Sequence, residues 1–137
     1  MGMPGDSDEI VVLKSQQVIV EAYSSGVIHL EVKVKEGFHI QAHELKDDLL
    51  VPTTLEIRQD ENFIIEAPVF PPSKKFRLEG TDSELDVYDG QFEILSPFRA
   101  KRKGKYRLGG TLKYQACDSA RCLFPRSIDF VVDVYVK

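Results

Sequence analysis

Two cysteines lie five positions apart near the end of the chain, and the segments on both sides of them alternate like β-strands. If these strands pair, the four-residue connection places Cys117 opposite Cys122 at the neck of a hairpin. Directly opposed residues of an antiparallel pair have Cα atoms roughly 4.5–5.5 Å apart, within the window of about 4.4–6.8 Å that a disulfide needs. The pair can then open and close with little backbone movement, as a redox-active dithiol requires.

The same two cysteines would make a poor structural bridge. A disulfide stabilises mainly by restricting the unfolded chain, and closing a loop this short contributes only about 2 kcal/mol. A stabilising bridge in a chain of this size is expected to join distant segments. The spacing therefore favours a redox role, while a structural disulfide stays the alternative because cysteine pairs in extracytoplasmic domains are usually structural.

Length and composition predict one globular domain. The chain has 137 residues, 42% of them hydrophobic, which is enough for a core. We predict a flexible, cloning-derived leader over residues 1–9 and a single domain over residues 10–137, acting as a monomer. No run approaches the roughly 18 apolar residues of a membrane helix. The net charge of −4 gives no reason to expect nucleic-acid binding, and the basic residues at 99–105 are expected to form a solvated loop.

Apolar and polar residues alternate with the period of two that β-strands show, and no segment carries a helical stripe. The alternation covers residues 27–34, 54–58, 91–95, 106–116 and 128–136. It predicts one inward row in the first of these segments and one in the last: Ile28, Leu30, Val32 and Val34, and Ile128, Phe130, Val132, Val134 and Val136. Glycines and prolines, Pro97 among them, separate these segments. Seven or more short strands with such turn signals predict an all-β fold, an immunoglobulin-like antiparallel β-sandwich. Since the chain has no tryptophan, the core is expected to rest on aliphatic strand faces.

The alternation also predicts where the cysteines lie on the sandwich. Leu108, Leu112 and Tyr114 share the inward face of the penultimate strand, so Cys117 falls on the opposite, polar face unless a bulge intervenes. Pro125 interrupts strand pairing soon after Cys122. The dithiol is therefore expected at the rim of the sandwich and not in its centre.

Neighbouring charges distinguish the two thiols. Asp118 follows Cys117 and should disfavour its thiolate, whereas Arg121 precedes Cys122 and should favour the charged form. Thiol–disulfide exchange needs one attacking thiolate and one thiol that resolves the mixed disulfide. The local sequence thus predicts Cys122 as the nucleophile and Cys117 as the resolving thiol.

The histidines raise the question of a metal. His39 and His43, with the two cysteines, make a formal Cys₂His₂ set, but no second closely spaced ligand pair supports it, and no metal or other cofactor is predicted. His39 and Gln41 share the strand face opposite Phe38 and Ile40. They either border the dithiol, hydrogen-bonding a thiol or helping proton transfer, or they are two exposed polar strand residues.

Several motifs together resemble the family of N-terminal periplasmic domains of the thiol:disulfide interchange protein DsbD. They are residues 37–42 (GFHIQA), 51–57 (VPTTLEI), 87–90 (VYDG) and 110–117 (GTLKYQAC), the last running into residues 122–125 (CLFP). The Tyr-Gln-small-Cys strand, a short turn, and a second cysteine closely followed by proline form the most specific piece. The resemblance covers nearly the whole chain.

The resemblance implies an immunoglobulin-like domain of the bacterial periplasm that relays reducing equivalents without a cofactor. Electrons would arrive from a thioredoxin-like domain fed by a membrane segment, and the resemblance allows this domain to be fused to that segment in the native protein. They would leave to oxidised periplasmic proteins such as disulfide isomerases and the thioredoxin-like proteins of cytochrome c maturation. The corresponding enzymatic activity is that of a protein-disulfide reductase.

The chain departs from the best-known member of the family at three places. That member has one more residue between its cysteines, and it has two tyrosines where this chain has His39 and Gln41. Its cap loop, whose aromatic residue shields the dithiol, corresponds to residues 71–79 here, and Phe76 is the candidate for that aromatic. Phe124 is a second aromatic that could shield the sulfur.

The sequence therefore predicts a redox domain with Cys117 and Cys122 as catalytic residues. Its predicted lining is His39, Gln41, Phe76, Asp118, Arg121 and Phe124. The alternative is an immunoglobulin-like binding or assembly module whose disulfide is purely structural.

Overall fold

The computed structural model describes residues 9–46 and 49–137, so the predicted leader lies outside it except for Glu9. Within these ranges every regular element is a β-strand, and no helix long and apolar enough to cross a membrane is found there. The strands are β1 (Val11–Ser15), β2 (Val18–Val20), β3 (Ser25–Val34), β4 (His39–Gln41), β5 (Thr54–Ile57), β6 (Phe63–Ile65), β7 (Lys74–Arg77), β8 (Glu84–Tyr88), β9 (Gln91–Ala100), β10 (Gly104–Tyr114), β11 (Ala116–Cys117) and β12 (Arg126–Val136).

Two four-stranded sheets form the sandwich, with strand orders β1-β3-β9-β6 and β2-β12-β10-β5. Their facing rows bury the aliphatic residues that the alternation predicted, which confirms the immunoglobulin-like sandwich. On β3 the inward row is at most 4% exposed, and on β12 the last three inward valines are 1% exposed. These rows are Ile28, Leu30, Val32 and Val34 on β3 and Val132, Val134 and Val136 on β12.

One strand pair departs from the antiparallel prediction, because β2 runs parallel to β12. The reason is that the first segment of the chain passes from one sheet to the other. β1 pairs with β3 in the first sheet, and after residues 16–17 the chain continues as β2 along the edge of the second sheet. The first segment thus covers one edge of each sheet, which limits the open edges available for pairing with other chains.

Pro97 does not end a strand, as its residue type had suggested, but lies inside β9 opposite Val27. The carbonyl oxygen of Pro97 accepts a hydrogen bond from the Glu66 amide at 3.0 Å, just beyond the β6 ladder. In an antiparallel strand the N–H and C=O of one residue point to the same side. The missing proline N–H therefore faces the end of a ladder, where a strand tolerates proline.

A third sheet at one end of the sandwich, with strand order β11-β4-β8-β7, positions the cysteines. It begins where the penultimate strand breaks at Gln115, between β10 and β11. The Gln115 side chain accepts from the Val51 amide at 2.8 Å and donates to the Leu123 carbonyl at 3.0 Å. These bonds hold the backbone at the point where the chain leaves one sheet and joins the other.

The break corrects the prediction that Cys117 lies on a polar face. Past Gln115 the alternation restarts with both Ala116 and Cys117 buried, at 2% and 0% exposure.

Residues 71–79 also differ from the expected loop, since β7 lies within them and pairs with β8. Two ion pairs join the β7 side of this strand pair to the β8 side: Lys75 with Asp86 at 2.6 Å and Lys74 with Asp89 at 2.7 Å.

Candidate redox site on the third sheet

Cys117 and Cys122 form a disulfide across the neck of a tight hairpin. They pair as opposed residues in an isolated antiparallel bridge, with their Cα atoms 3.9 Å apart. The Leu123 amide donates to the Ala116 carbonyl at 2.7 Å on one side of the bridge, and the Asp118 amide donates to the Arg121 carbonyl at 2.9 Å on the other. The predicted hairpin is confirmed, and its two Cα atoms lie closer together than the roughly 4.5–5.5 Å expected for opposed residues.

The side chain of Asp118 shapes the turn between the cysteines. Its Oδ1 atom accepts from the backbone amides of Ala120 and Arg121, both at 2.9 Å. These two hydrogen bonds, aided by the Arg121 charge, hold the pKa of Asp118 below its usual value. The guanidinium of Arg121 lies 3.7 Å from the Asp118 carboxylate. Its charge is therefore shared with Asp118, and its pull on a Cys122 thiolate is weaker than the sequence argument assumed.

The two sulfur-bearing residues differ in exposure. Cys117 is 0% exposed, whereas Cys122 is half-buried. An open groove of about 470 Å³ runs beside Cys122, and Phe124 on its wall is 91% exposed. The other residues lining the groove are Gln115, Arg121, Leu123 and Arg126. An incoming thiolate can therefore reach Cys122 without any rearrangement that uncovers Cys117.

A small apolar cluster, separate from the two clusters of the sandwich core, surrounds the disulfide. Cys117 packs there with two buried residues of β8, Leu85 and Val87. Four partly buried side chains pack against this cluster: Leu50, Phe76, Leu78 and Cys122. The sequence argument identified Phe76 but missed the aliphatic members. The sequence pointed to one of these residues, Val87, only through the motif at residues 87–90. That motif contributed to the family resemblance but did not indicate a contact with sulfur.

Gln41 and His39 lie on the strand paired with Cys117. His39 is the register partner of Cys117, and Gln41 follows on the same face of β4. Gln41 is 0% exposed, and its Nε2 donates a hydrogen bond to Cys117 Sγ at 3.1 Å. Within the described residues, two buried polar atoms here have no hydrogen-bond partner, Gln41 Oε1 and His39 Nε2. The structure therefore brings both predicted lining residues to the dithiol.

Phe76 contacts this site from β7. Its ring centroid lies 3.8 Å from that of His39, and the ring packs on the cluster that contains Cys117. Beyond β7, the Glu79 amide donates to the Ser119 carbonyl at 3.0 Å and ties the strand's exit to the cysteine turn. Phe76 is half-buried and lies outside the sandwich core, as its assignment to a cap requires.

The other histidines lie elsewhere. His43 stacks on Phe70 with ring centroids 4.0 Å apart, and its Nδ1 lies 2.9 Å from the Thr53 carbonyl. His29 contacts Glu93 at 3.4 Å on an exposed strand face. In residues 9–46 and 49–137, no three side chains of the His, Cys, Asp and Glu types converge as metal ligands would.

Burial lowers the pKa of His39 below its usual value of 6.5, although the charges of Asp89 and Asp118 oppose the shift. The folded protein thus prefers the neutral imidazole. The unfolded chain takes up a proton first as the pH falls, so the contribution of His39 to stability is complete above about pH 6.5 and is lost as the pH falls through the depressed value.

We therefore expect acid to destabilise the protein partly through His39. The free energy of unfolding in urea should be lower at about pH 5.5 than at about pH 7.5, and the His39→Gln variant should show a smaller difference. His29→Gln is the matched control, since it removes an exposed imidazole. An unchanged pH difference in His39→Gln would contradict the assignment.

Comparisons with known proteins agree with the fold and identify a family. A family model described as "Thiol:disulfide interchange protein DsbD, N-terminal" matches residues 9–133. The N-terminal periplasmic domain of ScsB from Proteus mirabilis has a TM-score of 0.61 and 15% identity, covering 99% of this chain and 49% of that one. The chain thus spans about half the length of that structure. The reduced N-terminal domain of DsbD from Neisseria meningitidis has a TM-score of 0.56 and 12% identity, covering 98% and 91%. No curated protein sequence matches the chain.

Proposed function

The chain belongs to the family of N-terminal domains of the thiol:disulfide interchange protein DsbD, and we propose that it relays reducing equivalents between thioredoxin-like proteins. The dithiol of Cys117 and Cys122 carries the electrons, so the domain needs no cofactor. The observation that carries the proposal is the asymmetry of the disulfide, with one cysteine fully buried and the other beside an open groove.

In the loading half of the relay, a donor dithiol reduces the disulfide. A donor thiolate attacks Cys122 Sγ, the S–S bond breaks, and its electron pair passes to Cys117 Sγ, which takes up a proton. The second donor thiolate then attacks the donor's own sulfur in the mixed disulfide. This step closes the donor disulfide and releases Cys122 as a thiolate, which is protonated in turn. Two electrons and two protons have then moved to the domain.

The unloading half repeats the same chemistry with an oxidised acceptor. The Cys122 thiolate attacks the acceptor disulfide and forms a mixed disulfide with it. Cys117 then attacks Cys122 Sγ, closes the internal bond again, and expels the acceptor as a reduced dithiol. One accessible sulfur can serve donor and acceptor in turn, because both reach it through the same groove.

The setting of the relay is part of the proposal. The similar ScsB structure is that of a periplasmic domain, which supports an extracytoplasmic location for this one. We place the donor on a thioredoxin-like domain fed by a membrane segment, and the acceptors among oxidised periplasmic proteins, including those of cytochrome c maturation. The exposed ring of Phe124 beside Cys122 offers these partners an apolar contact, with the domain acting as a monomer.

A redox titration separates this function from a structural disulfide. We expect a reversible two-electron couple between about −180 and about −270 mV, where disulfide isomerases and thioredoxins operate. A structural bond would resist reduction to below about −300 mV. The titration should follow the alkylation of both cysteines against defined glutathione or dithiothreitol ratios. A variant with both cysteines replaced by serine supplies the baseline, and a potential below about −300 mV would favour the binding-module alternative.

A further inference from the structure

The buried side of the disulfide meets the side-chain carboxamide of Gln41. Gln41 is fully buried, and its Nε2 donates to Cys117 Sγ at 3.1 Å, while its Oε1 atom has no partner among the described residues. Buried polar atoms are nearly always paired, and an apolar side chain of equal size would avoid the cost of this one. A buried glutamine side chain that makes one hydrogen bond within the described part of the chain, to a sulfur, calls for an explanation in the chemistry of that sulfur.

Reduction puts a negative charge on Cys117 in a place that water does not reach. When a thiolate attacks Cys122, the departing sulfur is Cys117 Sγ, which is 0% exposed. Its buried packing partners in the apolar cluster, Leu85 and Val87, cannot stabilise a charge. Desolvation disfavours a thiolate in such surroundings, and a poorly stabilised leaving group slows exchange.

We propose that Gln41 is the positioning residue that stabilises the Cys117 thiolate as the disulfide opens. This inference rests on the proposed exchange function and assigns the donor within it. The Gln41 N–H already points at the sulfur in the disulfide, so no reorganisation is needed when the charge develops, as in an oxyanion hole. A hydrogen bond to an ionised acceptor is roughly twice as strong as one between neutral groups. The bond therefore strengthens as the S–S bond breaks.

The carbonyl oxygen of the Gln41 carboxamide can accept a hydrogen bond from the protonated Cys117 thiol. Once Cys117 has taken up its proton, the S–H becomes a donor, and the unpartnered Gln41 Oε1 is an acceptor on the same side chain. His39 Nε2, unpartnered on the neighbouring position of the same strand face, adds a second polar atom to this wall. The Gln41 side chain thus offers a donor, Nε2, to the thiolate and an acceptor, Oε1, to the protonated thiol. In the disulfide state only Nε2 has a hydrogen-bond partner among the described residues.

The test replaces Gln41 by methionine, which keeps the length of the side chain and removes its donor. We expect reduction of the disulfide by dithiothreitol to slow about tenfold. In the Cys122→Ala background, where Cys117 is the one remaining thiol, the midpoint of its thiolate absorbance should rise by about one pH unit. Gln91→Met, at an exposed glutamine that donates to Glu31, is the matched control and should change neither quantity.

Stability distinguishes this role from a merely structural one. Because Gln41→Met removes an unpaired buried atom, its unfolding midpoint should stay equal to that of the parent or rise, while exchange slows. Should that variant misfold, Gln41→Glu keeps the shape but replaces the donor with a carboxylate, and it should slow exchange at neutral pH more than methionine does. Parental rates and an unshifted thiolate midpoint in either folded variant would overturn the inference. Because dithiothreitol needs no protein partner, failure of the relay with thioredoxin-like proteins would leave this result standing.

Discussion

Cys117→Ser is expected to trap, through Cys122, a thioredoxin-like partner that lacks its own second cysteine as a stable mixed disulfide, whereas Cys122→Ser should trap none. The reason is access. Cys122 is half-buried beside an open groove, and Cys117 is 0% exposed behind it. A buried sulfur cannot align with an incoming disulfide unless the surrounding cluster opens first. The loss of trapping in Cys122→Ser should therefore be complete on the timescale on which Cys117→Ser reacts.

The measurement is non-reducing electrophoresis after each reduced variant is incubated with a thioredoxin-like protein whose second cysteine is replaced by serine and whose remaining cysteine is held in a disulfide with a small aromatic thiol, which leaves when the mixed disulfide forms. The double serine variant controls for association without covalent capture. Equal trapping by the two single variants would show that Cys117 reaches partners as readily as Cys122, which would remove the distinction between nucleophile and resolving thiol. That outcome would also contradict the route of electrons proposed for the relay.

Much of the sandwich follows from local alternation. The inward rows of β3 and β12 are the predicted ones, because a period of two determines which side chains share a face once a strand exists. The same rule placed Cys117 on a polar face, which was wrong, because Cys117 is buried. Parity carries through a strand only while the backbone stays regular, and the break at Gln115 moves the last residues into another sheet. That break depends on bonds to Val51 and Leu123, which the alternation does not encode.

At the site, too, features that depend on neighbouring residues were predictable from the sequence, and features that depend on distant strands were not. Spacing alone placed Cys117 against Cys122, and their motif, together with the resemblance, directed attention to His39 and Gln41. The apolar cluster around the sulfur was not predictable in this way, because it needs the pairing of β4, β8 and β11 from distant parts of the chain. Phe76 was identified through a supposed loop but reaches the site from a strand.

Phe76→Ala is expected to expose Cys117 of the reduced protein to small reagents. The ring packs on His39 and on the cluster that holds Cys117, so a reagent that is to reach Cys117 must wait for the ring to move. Burying an aromatic side chain of this size contributes about 2 kcal/mol, and removing that amount from the cost of opening should speed the alkylation of Cys117 about 30-fold. The measurement is the rate at which iodoacetamide labels each cysteine of the reduced protein.

Phe92→Ala separates this effect from a general loss of stability. Phe92 is also half-buried, but it packs on Tyr88 with ring centroids 4.9 Å apart and belongs to the margin of the sandwich core. Its truncation should destabilise the fold while leaving the labelling rate near that of the parent in native conditions. If Phe76→Ala labelled no faster than Phe92→Ala, the ring would not shield the sulfurs. The dithiol would then rely on the burial of Cys117 alone, and Cys122 would stand open to oxidants as well as to partners.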